Sequence, residues 1–193
     1  MQGLINLDQK VFYWFNSFLE RNDIFDFIVK VIAVYAIYLI PILFILFWFL
    51  QRREKTQKFL LELFFVLVVS WQVIARAIGM IINRPRPDMF TGAKEILFHP
   101  PTYSFPSDHA LFLACVTVYL YLSGYKKIAN YSLIAMITIP IARVIIGFHF
   151  PGDILAGWIV GGALAYIFFL FKKPIEKYIV NPLYWVAKKM RLA

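Results

Sequence analysis

Apolar residues in this chain gather into long runs, separated by short basic or proline-bearing segments. Residues 31–50 carry no charge, and 59–82 are interrupted only by Glu62 and Arg76. Three further runs occupy 106–122, 128–146 and 154–171, the middle one carrying Arg143 close to its end. A helix needs about 20 apolar residues to cross the hydrocarbon layer of a bilayer, so these runs predict spanning helices, the last two joined as a tight hairpin. Residues 4–22 read differently. Leu4, Val11, Phe12, Trp14, Phe15, Phe18 and Leu19 alternate with polar positions, a pattern that predicts an interfacial amphipathic helix or, failing that, a short sixth span. The expected fold is all-α: a polytopic membrane helix bundle with five or six transmembrane helices and an N-terminal amphipathic helix. Residues 1–193 are expected to form a single domain, since no repeat, low-complexity tract or linker breaks the chain.

Composition agrees with the pattern. Hydrophobic residues make up 61% of the 193 positions and aromatic residues 19%, and the mean hydropathy is +0.69, above what a soluble domain normally carries. The net charge of +9 raises nucleic acid as a partner, but the basic residues interrupt apolar runs and form no continuous basic face. A lipid bilayer and an anionic lipid are the expected partners, with no nucleic acid. Cys115, the one cysteine, lies within an apolar run and is expected to pack in the core. The first residues lack a basic region followed by an apolar one, so the first span is expected to act as the insertion signal.

Lys and Arg in short loops mark the cytoplasmic side of a membrane protein. Arg52, Arg53, Lys55 and Lys58 follow the first run, Lys126 and Lys127 precede the fourth, and Lys172, Lys173, Lys177, Lys188, Lys189 and Arg191 lie in the tail. Placing all three groups in the cytoplasm puts the segments 83–105 and 147–153 on the opposite face. Those segments, with the ends of the runs that flank them, hold the chain's candidate chemistry.

Arg84 and Arg86 alternate with Pro85 and Pro87, giving planar donor forks suited to phosphate oxygens on a stiffened backbone. Anchoring a helix end to lipid headgroups is the plainer reading of the same residues. Pro106-Ser107-Asp108-His109 reads as a helix start with Pro106 in its first turn, where unpaired amides favour an anion and His109 can supply a proton. Ordinary capping is again the plainer alternative. Arg143, His149 and Asp153 complete the set: a carboxylate on one imidazole nitrogen would leave the other free to attack phosphorus, with Pro151 and Gly152 turning the chain between them. Arg143 would hold the oxygens of the transferring group, or else simply pair with Asp153. No metal site is expected, because the chain has three histidines and no dense carboxylate cluster. His99 is expected to be a loop residue.

These three elements, in this order, resemble the motifs of the type 2 phosphatidic acid phosphatase superfamily of integral membrane lipid phosphatases, over roughly residues 55–171. The resemblance implies metal-independent, cofactor-free hydrolysis of a lipid phosphate or pyrophosphate through a phosphohistidine. His149 would be the nucleophile, Asp153 its orienting group, and His109 the acid and later the base. Arg86, Ser107 and Arg143 would cradle the phosphate, with Arg84 assisting. The chain departs from the family pattern at three places. A motif Lys is absent, Gly79 and Ala77 standing at the corresponding spacings, and Arg76, the nearest cation, is the candidate to bind phosphate in its place. Asp108 replaces a Gly, and Ala142 a Ser. The form with Asp is similar to bacterial undecaprenyl pyrophosphate phosphatases of the bacitracin-resistance type, which implies a polyprenyl substrate and a bacterial inner membrane with the site facing the periplasm or exterior. Lipid A 1-phosphate and phosphatidylglycerol phosphate are the rival substrates. A non-catalytic anionic-lipid carrier is the rival class, disfavoured by two histidines that a carrier does not need.

Overall fold

The computed structural model describes residues 2–87, 92–94 and 103–192, and every described regular element is helical. Helix α1 spans Gln2–Asn16. Among the described residues, four helices are long and apolar enough to cross a membrane: α2 (Asp23–Leu50), α3 (Glu54–Ile82), α5 (Lys126–Ile145) and α6 (Pro151–Leu170). Between them lies the shorter apolar helix α4 (Asp108–Leu122). The tail forms α7, in which Lys172–Ile175 and Asn181–Lys189 flank a π-helical stretch, Glu176–Val180.

Helix α2 begins eight residues before the charge-free run. Asp23, Asp26 and Lys30 occupy its first turns, and Asn22 caps it by accepting the Phe25 amide at 3.0 Å. Polar side chains at a helix end reach the interface, so they do not stop the helix from spanning. Further along, Val31–Tyr35 is π-helical and Ala36–Tyr38 is 3₁₀. Pro41 explains this: it has no N–H, and its ring excludes the carbonyl four residues back. Ile42, Leu43, Ile45, Leu46, Phe47 and Phe49 are all exposed, as expected of an outer helix whose neighbour is lipid.

The last two runs do not form a mutually packed hairpin. Helix α4 sits between them in the packing, with α6 along its length and α5 on another side, while α5 and α6 touch little. Glycine accounts for the first contact. Gly157 and Gly161 of α6 lie so close to α4 that a Cβ on Gly157 would stand 2.8 Å from the Ala110 Cβ, and one on Gly161 2.2 Å from the Leu111 carbonyl oxygen. Small residues four apart let membrane helices approach at backbone distance. Phe59, Leu63, Val66 and Leu67 of α3, Cys115, Val116, Tyr119 and Leu120 of α4, and Ala165 of α6 then form the main core. Cys115 is buried there as expected.

Helix α1, with 15 residues, is not among the helices long enough to span. It docks on the ends of α5 and α6. Phe12 packs edge-on against Phe150 at 5.3 Å, and Asn16 donates to the carbonyls of Lys94 and Ile145 while accepting the Lys94 amide. Gly147, at φ +91°, lets the α5–α6 link pass under Lys94, whose carbonyl would meet a Cβ at 2.7 Å.

The basic residues before α3, before α5 and after α6 lie at one end of the bundle, and the motif segments at the other. At the basic end a buried Glu62 accepts from the Tyr119 hydroxyl and faces Lys172 at 3.4 Å.

Candidate functional site

The end of α3, the start of α4, the end of α5 and the start of α6 converge at one end of the bundle. Helix α4 has 15 residues, about 22 Å at 1.5 Å per residue, against about 30 Å of hydrocarbon. It is shorter than its neighbours, and the non-helical stretch 103–107 leads into it. Pro106 precedes the helix instead of entering it. Ser107 is the N-cap, so Asp108 and His109 occupy the first turn. Likewise Pro151 and Gly152 belong to the first turn of α6 and make no separate bend.

The returning stretch 103–107 lies against the Arg-Pro segment. Ser104 donates its amide to the Arg84 carbonyl at 2.8 Å and its hydroxyl to that of Pro85 at 3.2 Å. This brings the Ser104 carbonyl to His149, whose Nδ1 lies 2.9 Å away. A carbonyl only accepts, so Nδ1 carries the proton and the lone pair of the neutral ring is on Nε2. His149 is buried.

Asp153 plays a different part from a simple partner of His149. Its Oδ2 accepts the Phe150 amide at 2.9 Å and lies 3.8 Å from His149 Nδ1. Its Oδ1 accepts from Arg84 Nη1 at 2.7 Å. The alternative in which Arg143 pairs with Asp153 is thus replaced by an Arg84 pair. The other terminal nitrogen of Arg84 donates to Asp8 at 2.6 Å, and the second Asp8 oxygen accepts the Gly152 amide at 2.7 Å. All four oxygens of Asp8 and Asp153 are therefore taken by N–H donors.

Arg143 and Arg86 are both buried. Arg143 Nη1 donates to the Ala33 carbonyl at 3.0 Å and points at His109 Nε2 at 3.4 Å. Arg86 donates to the Phe148 carbonyl at 2.8 Å. Among the described residues, Arg143 Nε, Ser107 Oγ and Asp108 Oδ1 are buried without a hydrogen-bond partner. Orphaned polar atoms inside a protein are expensive and cluster where a ligand satisfies them. Asp108 accepts a hydrogen bond from Trp71 and sits in the field of Arg86, Arg143 and Arg76.

Of the eight expected site residues, Arg84, Asp153 and His149 are joined by direct contacts, Ser107 donates its amide to the Asp153 carbonyl at 3.1 Å, Arg86 bonds the Phe148 carbonyl next to His149, and Arg143 faces His109. Arg76 stays on the exposed side of α3 and reaches the site only through its field on Asp108. Gly79, at the spacing of the missing Lys, is covered by the Tyr103 ring, which a Cβ would meet at 2.0 Å. His99 lies outside the described residues. Sequence reasoning missed Asp8 and the Ser104 carbonyl. Neither sits in a recognisable spacing, since one lies on a remote helix and the other is a backbone atom.

The sequence matches the PAP2 superfamily over residues 59–176. It is 33% identical over 106 residues to an undecaprenyl-diphosphatase of Sulfolobus acidocaldarius, covering 52% of this chain and 51% of that protein. It is 32% identical over 108 residues to phosphatidylglycerophosphatase B of Bacillus subtilis, covering 50% of each. These matches span about half the length of the relatives. Among solved structures, the fold resembles a transmembrane PAP2-type phosphatidylglycerolphosphate phosphatase from Bacillus subtilis, with TM-score 0.71 at 22% identity over 92% of this chain and 90% of that one. Aquifex aeolicus LpxE gives TM-score 0.64 at 22% identity, covering 84% and 94%.

Proposed function

The chain belongs to the PAP2 superfamily, a multi-pass membrane protein, and from that premise we propose that it hydrolyses a lipid phosphate or pyrophosphate without metal, through a phosphohistidine at His149. The observation that carries this is the bond from His149 Nδ1 to the Ser104 carbonyl at 2.9 Å, which puts the nucleophilic lone pair on Nε2. Nε2 attacks phosphorus in line, the N–P bond forms, and the bond to the lipid oxygen breaks as His109 gives that oxygen a proton. Water then attacks the phosphohistidine, His109 takes its proton, and His149 leaves with the electrons of the N–P bond.

Arg86, Arg143 and Ser107 stabilise charge on the phosphoryl oxygens, the unpaired Arg143 Nε and Ser107 Oγ supplying donors that need no reorganisation. Arriving phosphate accepts from Arg143 and from protonated His109 together, replacing their mutual contact. Arg84, held between two carboxylates, supports the site by fixing Asp153. The full occupation of the Asp8 and Asp153 oxygens by N–H donors supports the metal-free reading.

Undecaprenyl pyrophosphate is the leading substrate, in keeping with the name of the Sulfolobus relative. Lipid A 1-phosphate and phosphatidylglycerol phosphate are the alternatives. A groove of about 620 Å³ beside Arg84, lined by Ile5, Leu7, Val11, Phe150 and Leu155, supports a substrate with a hydrocarbon chain. The basic residues at the far end of the bundle support an extracytoplasmic site in a bacterial inner membrane.

Phosphate release by the purified chain in detergent with chelator, on each of the three lipids, tests the reading. Release should persist with chelator and vanish in His149→Ala. Release that survives His149→Ala would overturn the mechanism, and no release from any lipid would favour an anionic-lipid carrier.

A further inference from the structure

We infer that Asp8, on the amphipathic helix α1, is a positioning residue for the reaction, acting on His149 through Arg84 and Asp153; the inference rests on the catalytic reading above. Asp8 lies 145 positions before Asp153 in the chain numbering, on an element that does not span. It nevertheless stands at the end of a chain of contacts, two hydrogen-bonded ion pairs followed by an electrostatic approach to His149. Asp8 Oδ2 takes Arg84 Nη2 at 2.6 Å, Arg84 Nη1 takes Asp153 Oδ1 at 2.7 Å, and Asp153 Oδ2 lies 3.8 Å from His149 Nδ1.

Each link fixes the next. A guanidinium gripped at only one of its terminal nitrogens can pivot about that contact, whereas carboxylates on both set its plane. With Arg84 fixed, and the Phe150 amide on the other oxygen at 2.9 Å, the Asp153 carboxylate cannot rotate. Its field on the imidazole is then constant as positive charge develops on His149 during attack. Asp8 also accepts the Gly152 amide at 2.7 Å, one of the amides that α6 itself cannot satisfy in its first turn. One carboxylate thus ties α1, the Arg-Pro segment and the α6 start together. The Arg84 guanidinium lies 4.2 Å above the Phe150 ring, so it is held from a third side as well.

A second effect follows from the same bonds. Arg84 carries a positive charge beside a site for phosphate. Released from Asp8, it gains a free donor fork able to swing onto the phosphate, holding substrate and product equally and adding nothing specific to the transition state. Asp8 therefore serves turnover more than binding.

Gly152 gives an independent handle. A Cβ there would stand 2.9 Å from Asp8 Oδ2, so Gly152→Ala displaces the Asp8 carboxylate without altering its charge. A residue that merely anchors α1 would, when changed, lower thermal stability and raise KM through the neighbouring groove, with kcat preserved.

The test uses the full chain in detergent with dioctanoyl phosphatidic acid as the probe. Asp8→Asn and Gly152→Ala should each lower kcat at least tenfold while KM moves less than threefold. The double variant Asp8→Asn with Arg84→Gln should lose no more than the worse single variant, as expected when both act along one relay. A readout free of turnover is the rate of His149 carbethoxylation by diethyl pyrocarbonate, followed by peptide mass spectrometry. It should fall at least threefold in both single variants, because a displaced Asp153 carboxylate no longer supports positive charge developing on the ring as Nε2 attacks. Unchanged kcat in an active protein overturns the inference, as does an unchanged His149 labelling rate whether or not the chain turns over the probe. A wild-type protein that releases no phosphate, yet shows the labelling change, counts against the catalytic reading and leaves the positioning by Asp8 supported. Should Asp8→Asn fail to fold, Gly152→Ala decides by the same two readouts.

Discussion

Gly161→Ala tests whether the closeness of α4 and α6 builds the site. The new methyl carbon would sit 2.2 Å from the Leu111 carbonyl oxygen, 2.9 Å from its carbon and 3.0 Å from its Cα. An ordinary C···O contact is about 3.3 Å, so the helices must part by about 1 Å, and backbone atoms cannot turn aside as a flexible side chain would. Overpacking of this kind costs about 1–3 kcal/mol. For a chain of this size that corresponds to a Tm lower by about 2–12 °C. Function should suffer more than stability. Ser107 and His109 ride at the start of α4, while Asp153 rides on α6, so separation displaces the groups proposed to bind phosphate and donate the proton from the one proposed to support the nucleophile. A misplacement of about 1 Å can cost about 100-fold in rate. Gly162→Ala is the internal control: its Cβ would meet only Val118 Cγ2 at 3.7 Å, an ordinary contact, and alanine is the better helix former by up to about 1 kcal/mol. Both variants should be compared by thermal unfolding in detergent and by phosphate release. Equal Tm and equal kcat in the two alanine variants would refute the argument.

Two further outcomes follow from polar atoms at opposite ends of the bundle. Ser107→Ala removes a buried hydroxyl that has no partner, so the resting protein should be as stable as wild type or slightly more so. In the same variant kcat/KM should fall about 10- to 100-fold, the worth of a hydrogen bond to a charged group; parallel Tm and phosphate-release assays check the opposite signs. Tyr119→Phe removes the hydroxyl that Glu62 accepts at the basic end, and should lower stability by about 1.5–3 kcal/mol with kcat within twofold of wild type, because the site lies at the far end of the helices.

The apolar runs were readable as helices because lipid imposes length and composition on any segment that crosses it. Their ends were less readable. Asp23, Asp26 and Lys30 look like a boundary to a rule that counts charges, yet the helix continues through them, because its backbone bonds are internal and its polar side chains sit at a terminus. The packing order failed for a different reason. Adjacency in sequence suggested that α5 and α6 pair, whereas Gly157 and Gly161, visible in the sequence at a spacing of four, direct α6 onto α4. The three motifs stood out because the proposed phosphate chemistry requires particular residue types in that order, and the ends of four helices carry them to the same end of the bundle. Asp8 carried no comparable signal: its role depends on Arg84 reaching across from the end of α3, a tertiary fact that spacing along the chain does not encode.

The charge balance of the site decides which substitutions are informative. Three guanidiniums, Arg84, Arg86 and Arg143, meet three carboxylates, Asp8, Asp108 and Asp153, at this end of the bundle. Pairing of opposite charges offsets the several kcal/mol that an uncompensated buried charge costs. It is also uneven. Arg84 is closed between two carboxylates, whereas Arg143 bonds a carbonyl and an imidazole and keeps Nε without a partner. In the proposed reaction an incoming phosphate therefore gains most from Arg143 and least from Arg84. Deleting any of the three arginines also strips a carboxylate of its counter-charge, so lost activity in such a variant mixes lost binding with lost folding. Ser107, neutral and unpartnered, separates the two, and Asp8 separates them through kcat against KM.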